Sequence, residues 1–94
     1  ESILESLDFG LMAIDANDRV LFCNRLFIDQ WKIPPDMAER GDNREFMAHA
    51  LGQMRTNQEF MARRQQLLAS GVGEFNHLSE LKDGRYFEHS NKLF

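Results

Sequence analysis

Three histidines are the residues of this sequence that could bind haem or a metal ion: His49, His77 and His89. His49 is the only one on a predicted helix, and the helical wheel places it away from the apolar face, where histidines are usually exposed. His77 and His89 fall on two strands that we predict to pair, so we expect them to be near neighbours. Two histidines without a third ligand make a poor zinc site. We therefore expect neither haem nor a metal ion, and a pH-sensitive histidine pair is the alternative interpretation.

The single cysteine and the scattered carboxylates indicate no catalytic site. Cys23 is the only cysteine, which excludes an internal disulfide and a metal site built from several cysteines. It lies in an apolar run, so we predict a small buried hydrophobic side chain. The sequence contains no catalytic-triad motif, phosphate-binding loop or glycine-rich nucleotide motif. We expect the protein not to be an enzyme.

Composition and charge favour one domain that contacts neither nucleic acid nor a membrane. The chain has 94 residues, 43% hydrophobic and 28% charged, which is ordinary for a single globular domain. Its net charge of −4 disfavours phosphate binding, and the basic pair Arg63-Arg64 is interpreted as a solvated helix face. No apolar run approaches the ~20 residues of a membrane span, and Glu1 and Glu5 stand where a secretory signal would be basic. We expect a cytoplasmic domain.

Two strand–turn–strand patterns enclose a helical stretch. In the first, residues 11–15 and 19–24 are apolar on both alternating faces and flank a run of Asp and Asn, which tolerate positive φ. In the second, residues 74–81 and 85–94 flank an Asp-Gly pair, which is among the strongest sequence signals for a hairpin. Both patterns predict β-hairpins.

The remaining apolar spacing predicts helices. Asn24, Asp36, Asp42 or Asn43, and Gly71 stand at the ends of these segments as caps. We predict helices over 1–9, 25–31, 43–55 and 58–69, with a short turn over 36–39.

The first hairpin and the helix after it resemble the opening of a PAS domain. The strands read GLMAID over 10–15 and VLFCN over 20–24, and end in the polar residues Asp15 and Asn24 that are typical of that family. The segment FIDQWKIP over 27–34 resembles the first helix of a subgroup found in bacterial sensor histidine kinases and diguanylate cyclases. Structural roles are expected for both polar residues, Asp in the turn and Asn as a helix cap.

The second hairpin, LKDGRYFE over 81–88 with Asp83 and Gly84 in its turn, resembles the closing hairpin of the same family. The resemblance implies an α+β fold over residues 10–94, a PAS-like antiparallel sheet with helices on one face. A PAS sheet has five strands, the last of them central, whereas this sequence stops at Phe94 after its fourth. We therefore expect a truncated sequence, or a partner chain or a rearranged pairing that fills the gap between the hairpins.

By this resemblance the protein is a sensory signal-transduction module that regulates an output domain such as a histidine kinase or a diguanylate cyclase. The alternative is a ligand-free protein-interaction and dimerisation domain. A small apolar ligand would bind between helices and sheet, although a plain apolar core is the competing interpretation. The predicted pocket lining is Leu11, Ala13, Phe22, Trp31, Phe46, Leu51, Phe60, Leu78 and Phe87.

Two further expectations concern cofactors and partners. PAS relatives that bond a flavin carry an Asn-Cys-Arg-Phe motif on a helix, which this chain lacks, so no flavin is expected. Haem bound through His49 stays as a third hypothesis. We expect a homodimer that forms through the N-terminal stripe Ile3, Leu4 and Leu7, within residues 1–9, and through the exposed sheet.

Overall fold

The computed structural model describes residues 3–94, apart from the side chain of Leu4. The predicted α+β class and both predicted hairpins are confirmed. Of the helix predicted over 1–9, the described part is one 3-10 turn at Ile3–Ser6. None of the described helices is long and apolar enough to cross a membrane. In chain order the other elements are β1 (Gly10–Ile14), β2 (Val20–Cys23), α1 (Arg25–Trp31), α2 (Pro35–Arg40), α3 (Asn43–Leu51), α4 (Gln58–Ser70), β3 (Gly73–Glu80) and β4 (Tyr86–Leu93).

The two hairpins form one sheet with the strand order β2-β1-β4-β3. The strands within each hairpin are antiparallel, but β1 and β4 run parallel, from Gly10 opposite His89 to Ile14 opposite Leu93. The sheet is therefore mixed, and the prediction of a wholly antiparallel sheet is wrong. Of the three expected ways to fill the gap between the hairpins, the structure has the rearranged pairing. The direct pairing has a physical reason, because β1 and β4 would otherwise each leave a row of backbone groups without partners.

Several element ends follow the local signals in the sequence. The side chain of Asn24 caps α1, and that of Asp42 caps α3. Gly71 ends α4 with φ of +81°, in the left-handed region that glycine adopts without strain. In the second hairpin turn Gly84 has φ of +91°, and Oδ1 of Asp83 accepts a hydrogen bond from the backbone N–H of Arg85. Both hairpin-turn residues are thus placed as predicted.

Two element ends differ from the prediction. Helix α3 ends at residue 51 rather than 55, because Gly52 follows and Met54 instead forms a β-bridge with Leu81. Helix α2 begins at Pro35, whose missing N–H is tolerated at the first helical position. Asp36 is therefore inside the helix and does not cap it.

The helices cover one face of the sheet, and the apolar core lies between the two layers. The even-numbered residues of β1 and the odd-numbered residues of β3 and β4 face this core, as strand alternation and the pairing register require. Of the predicted pocket residues, Trp31, Phe46 and Phe60 are buried in the core, and Leu51 and Phe87 pack against it half-buried.

The other predicted pocket residues lie on the outer face of the sheet: Leu11, Ala13, Phe22 and Leu78. Leu11 and Ala13 are odd-numbered residues of β1, and Phe22 pairs with Ala13. Leu78 is 62% exposed. Leu11 and Ala13 are buried, at 3% and 5% exposure, but they face away from the helices. The assignment of these four residues to the helix–sheet interior is therefore wrong. For β1 the reason is that the strand is apolar on both faces, so its composition does not tell which face meets the helices.

Candidate functional site

The two polar residues that end the strands of the first hairpin have structural partners. Asp15 Oδ1 accepts hydrogen bonds from two backbone N–H groups of the turn, at 2.8 and 3.1 Å. Oδ1 of the buried Asn24 accepts from the backbone N–H groups of Phe27 and Leu11, each at 3.0 Å. Nδ2 of Asn24 donates to the carbonyl of Phe9 at 3.0 Å. Asn24 therefore caps α1 and also fastens this helix to β1.

His49 contacts the carboxyl end of α1. Its Nε2 lies 2.9 Å from the carbonyl oxygen of Trp31 and 3.0 Å from that of Lys32. Because a carbonyl oxygen only accepts, Nε2 carries the proton and donates. Nε2 of Gln53 donates to the Trp31 carbonyl as well, at 2.8 Å. Binding of haem iron by His49 Nε2 would remove one of the donors that satisfy this helix end.

His89 lies on the inner face of β4 and is only 1% exposed. Its Nε2 is 2.9 Å from Ser79 Oγ, and its Nδ1 is 3.1 Å from Nδ2 of Asn91. The ring centroids of Trp31 and Phe60 lie 5.4 and 5.5 Å from that of His89. We call His89, Ser79 and Asn91 the histidine cluster. It is a hydrogen-bonded polar group enclosed by aromatic rings at the centre of the helix–sheet interface.

The partners of His89 hold it in one neutral tautomer. The amide Nδ2 of Asn91 only donates, so His89 Nδ1 accepts and Nε2–H donates to Ser79. Burial, together with the neighbouring His77, lowers the pKa of His89 from 6.5 to about 4. His77 lies directly opposite, with ring centroids 5.8 Å apart, which confirms the predicted neighbours. Among residues 3–94, no three His, Cys, Asp or Glu side chains gather as a metal site.

A second polar group lies where the first hairpin turn meets α3 and α4. Asp18, with φ of +61°, accepts at its carboxylate from Nδ2 of Asn43 at 2.7 Å. The guanidinium of Arg64 donates to both oxygens of the same carboxylate, each at 3.1 Å. The carbonyl of Asp18 also accepts from the backbone N–H of Asn43 at 3.1 Å. We call Asp18, Asn43 and Arg64 the Asp18 cluster, in which one residue joins the sheet to two helices.

A cavity of about 10 Å³ lies beside the Asp18 cluster, between the helices and the sheet. Its apolar lining includes Met12, Met47 and Phe60, and its polar lining includes Asn43 and Arg64. Asn43 Oδ1 and Arg64 Nε are both buried, and neither has a hydrogen-bond partner in the described part of the chain. The cavity thus presents one acceptor and one donor, in a volume that suits about one water molecule.

The Asp18 cluster was not predicted from the sequence. Arg64 was assigned with Arg63 to a solvated helix face, but the side chain of Arg64 is only 19% exposed. Asn43 was considered only as a helix cap, whereas it is the first residue of α3 and is fully buried. The contact between Arg64 and Asp18 spans 46 positions. No local pattern in a single sequence signals a polar contact at that separation.

The remaining candidate residues lie apart from both clusters. Cys23 is half-buried, and burial raises the pKa of its thiol, with a smaller contribution from Glu5. Ile3 is 83% exposed and Leu7 is half-buried, while the side chain of Leu4 lies outside the described residues. The N-terminal homodimer contact therefore stays a prediction. Comparisons of the chain with family models, with curated proteins and with solved structures find no match.

Proposed function

We propose that this protein is a PAS-type sensory module that passes its state to a downstream output domain, such as a histidine kinase or a diguanylate cyclase, without catalysing a reaction. The observation that carries the proposal is the Asp18 cluster. One carboxylate, on the turn of the first hairpin, holds Asn43 of α3 and Arg64 of α4. A displacement of either helix therefore acts directly on the sheet, which is the kind of contact through which a module transmits a state.

The cavity beside this cluster is the place where a signal would enter. A small molecule with one hydrogen-bond donor and one acceptor satisfies both Asn43 Oδ1 and Arg64 Nε, the two cavity-lining residues' buried atoms that have no partner among the described residues. These are the same side chains that hold Asp18, so the ligand changes how firmly they hold it. A ligand shifts a conformational equilibrium only through such a difference in interaction between states. Met12 and Met47 line the cavity, and their flexible side chains allow it to widen.

Native mass spectrometry of protein purified under mild conditions tests this proposal. We expect the wild type to retain a small molecule that is lost when the protein is unfolded. The Asn43→Leu variant, of similar volume but without the amide, is expected to retain none. Circular dichroism must first show that the variant is folded. Equal retention by both proteins would place the molecule elsewhere and would contradict the proposed site.

The second candidate is a ligand-free protein-interaction and dimerisation domain. The observation that favours it is the small cavity volume of about 10 Å³, which leaves no space for a drug-sized molecule. The same measurement separates the two candidates. A wild-type protein whose native and unfolded masses agree, with no retained molecule, supports this second function.

A further inference from the structure

Strand β3 is an edge strand, and its even-numbered residues point their backbone groups away from the sheet. Two hydrogen bonds establish this direction. Leu81 N–H donates inward to the carbonyl of Arg85 in the same hairpin, at 2.8 Å. The carbonyl of Glu80 accepts from the backbone N–H of Arg55, which lies beyond the edge, at 2.8 Å. Because the N–H and C=O of one residue point to the same side of an antiparallel ladder, Glu74, Asn76 and Leu78 share the outward direction of Glu80.

A side chain covers part of this edge. Nη1 of Arg63, on α4, donates to the outward carbonyl of Asn76 at 2.5 Å. At the far end, the contact between Arg55 and Glu80 closes the edge. The rest of the edge is uncovered. No protein partner among the described residues contacts the outward backbone groups of Glu74 and Leu78, or the N–H of Asn76. We call residues 74–78 the open edge.

We propose that the open edge is a self-association surface, which pairs antiparallel with the open edge of a second copy of this chain. In the monomer the side chain of Arg63 opposes this pairing, because it covers the carbonyl of Asn76. Pairing centred on Asn76 joins residues 74–78 of one copy to residues 74–78 of the other and keeps both segments clear of the covered residue Glu80. In this register Glu74 faces Leu78 of the second copy. No two like charges then lie opposite each other within the open edge.

The inner face of the new seam favours the same register. Phe75 then lies opposite His77 of the second copy, and His77 opposite Phe75, so the seam gains two aromatic cross-strand pairs. Both side chains are half-buried in the monomer. An open groove of about 510 Å³ runs between α4 and the beginning of β3, so the edge is accessible from this side.

Arg63 is the residue that opposes this pairing. An incoming strand must replace its hydrogen bond to Asn76, as expected of a basic side chain that protects a sheet edge. Once displaced, Arg63 still has Glu59 one helical turn away, at 3.9 Å. The wild-type dimer is therefore weak, and removal of the Arg63 side chain strengthens it.

Sedimentation equilibrium of four proteins tests the proposal. We expect Arg63→Ala to dimerise about tenfold more tightly than the wild type, the worth of one charge-assisted hydrogen bond. Arg44→Ala, which removes the same charge from a side chain that is 80% exposed, is expected to leave the association unchanged. Asn76→Pro is expected to abolish dimerisation, because it removes an outward N–H and none of the hydrogen bonds between β3 and β4. An Arg63→Ala protein that associates no more tightly than Arg44→Ala would overturn the proposal.

Amide hydrogen exchange provides a second readout, which reports on the backbone groups of the open edge themselves. In the Arg63→Ala protein, the amides of Glu74, Asn76 and Leu78 should become protected as the concentration rises, while those of Phe75 and His77 are protected throughout. A dimer in which the three outward amides still exchange rapidly would refute the seam. So would a dimer that Leu7→Asp dissociates and Asn76→Pro does not, since it would form through the N-terminal contact.

Discussion

His89 makes the stability of this protein depend on pH in a direction that the structure specifies. Its Nδ1 accepts a hydrogen bond from Asn91. The residue is only 1% exposed and is enclosed by aromatic side chains. Protonation of Nδ1 would replace this hydrogen bond with two opposing donors and would bury a charge. Burial therefore holds the pKa of His89 at about 4 in the folded protein, against 6.5 when it is exposed in the unfolded chain.

The sign and size of the effect follow from these two pKa values. Between pH 6.5 and pH 4 the unfolded chain binds the proton and the folded protein does not, so the free energy of unfolding falls as the pH falls. The two pKa values differ by about 2.5, and at about 1.4 kcal/mol per pKa unit the full effect on the free energy of unfolding is about 3–4 kcal/mol. About 2 kcal/mol of it is lost between pH 7 and pH 5. The pKa of His77 is also lowered by burial, which adds a change of the same sign.

Urea unfolding of the wild type and of His89→Gln, at pH 7, 6 and 5, measures this contribution. Gln can hydrogen-bond but does not titrate, so we expect His89→Gln to be less stable at pH 7 and less dependent on pH. The stability difference between the two proteins should shrink by about 2 kcal/mol from pH 7 to pH 5. Surface carboxylates and His77 titrate in both proteins, and the subtraction removes most of their effect. A difference that stays constant over this range would refute the assignment of His89 as a buried neutral imidazole.

Two further substitutions test how α1 is held against the sheet. Asn24→Ala removes the acceptor of two backbone N–H groups and the donor to Phe9, and should lower the free energy of unfolding by about 2–3 kcal/mol. Its control is Asn17→Ala, at an exposed turn position, which should change the free energy of unfolding by no more than about 0.5 kcal/mol. Gly10→Ala should cost about 1–3 kcal/mol, because a Cβ at residue 10 would lie 2.9 Å from Gln30 Oε1 and 3.3 Å from the Cα of Phe27. Its control is Gly52→Ala, where the nearest atom is 3.5 Å away, and denaturant unfolding measures all four changes. A loss of stability in Gly52→Ala as large as that in Gly10→Ala would contradict the close-approach argument.

The parts of the fold that the sequence predicts are those set by a few neighbouring residues. Asn24 caps α1 and Gly71 ends α4, and each does so through hydrogen bonds within about one helical turn. The Asp83-Gly84 turn fixes the register of the second hairpin, and that register alone places His77 opposite His89. Their unequal burial does not follow from the register, because it depends on where Trp31 and the helices pack.

For the strand β1, neither the face that meets the helices nor the pairing with β4 could be predicted from neighbouring residues. Its residues are apolar on both faces, so the alternation that usually identifies the buried face is absent. The inner face was assigned to Leu11 and Ala13, whereas Met12 and Ile14 face the helices. The parallel pairing of β1 with β4 is a contact between distant segments, and no turn residue specifies it. An error of one residue in the facing of a strand moves every predicted pocket residue of that strand to the other side.

The adjacent arginines Arg63 and Arg64 point to different sides of α4 and take part in different proposals. Both were predicted to lie on one solvated helix face, but consecutive helix residues are rotated by about 100° and cannot share a narrow face. With α4 lying along the sheet, this rotation directs Arg64 inward to Asp18 and Arg63 outward to the carbonyl of Asn76. Arg64 therefore belongs to the proposed signalling contact and Arg63 to the proposed self-association surface. Because the two side chains have different partners, substitution of one leaves the other in place, and the two proposals can be tested separately in the same protein.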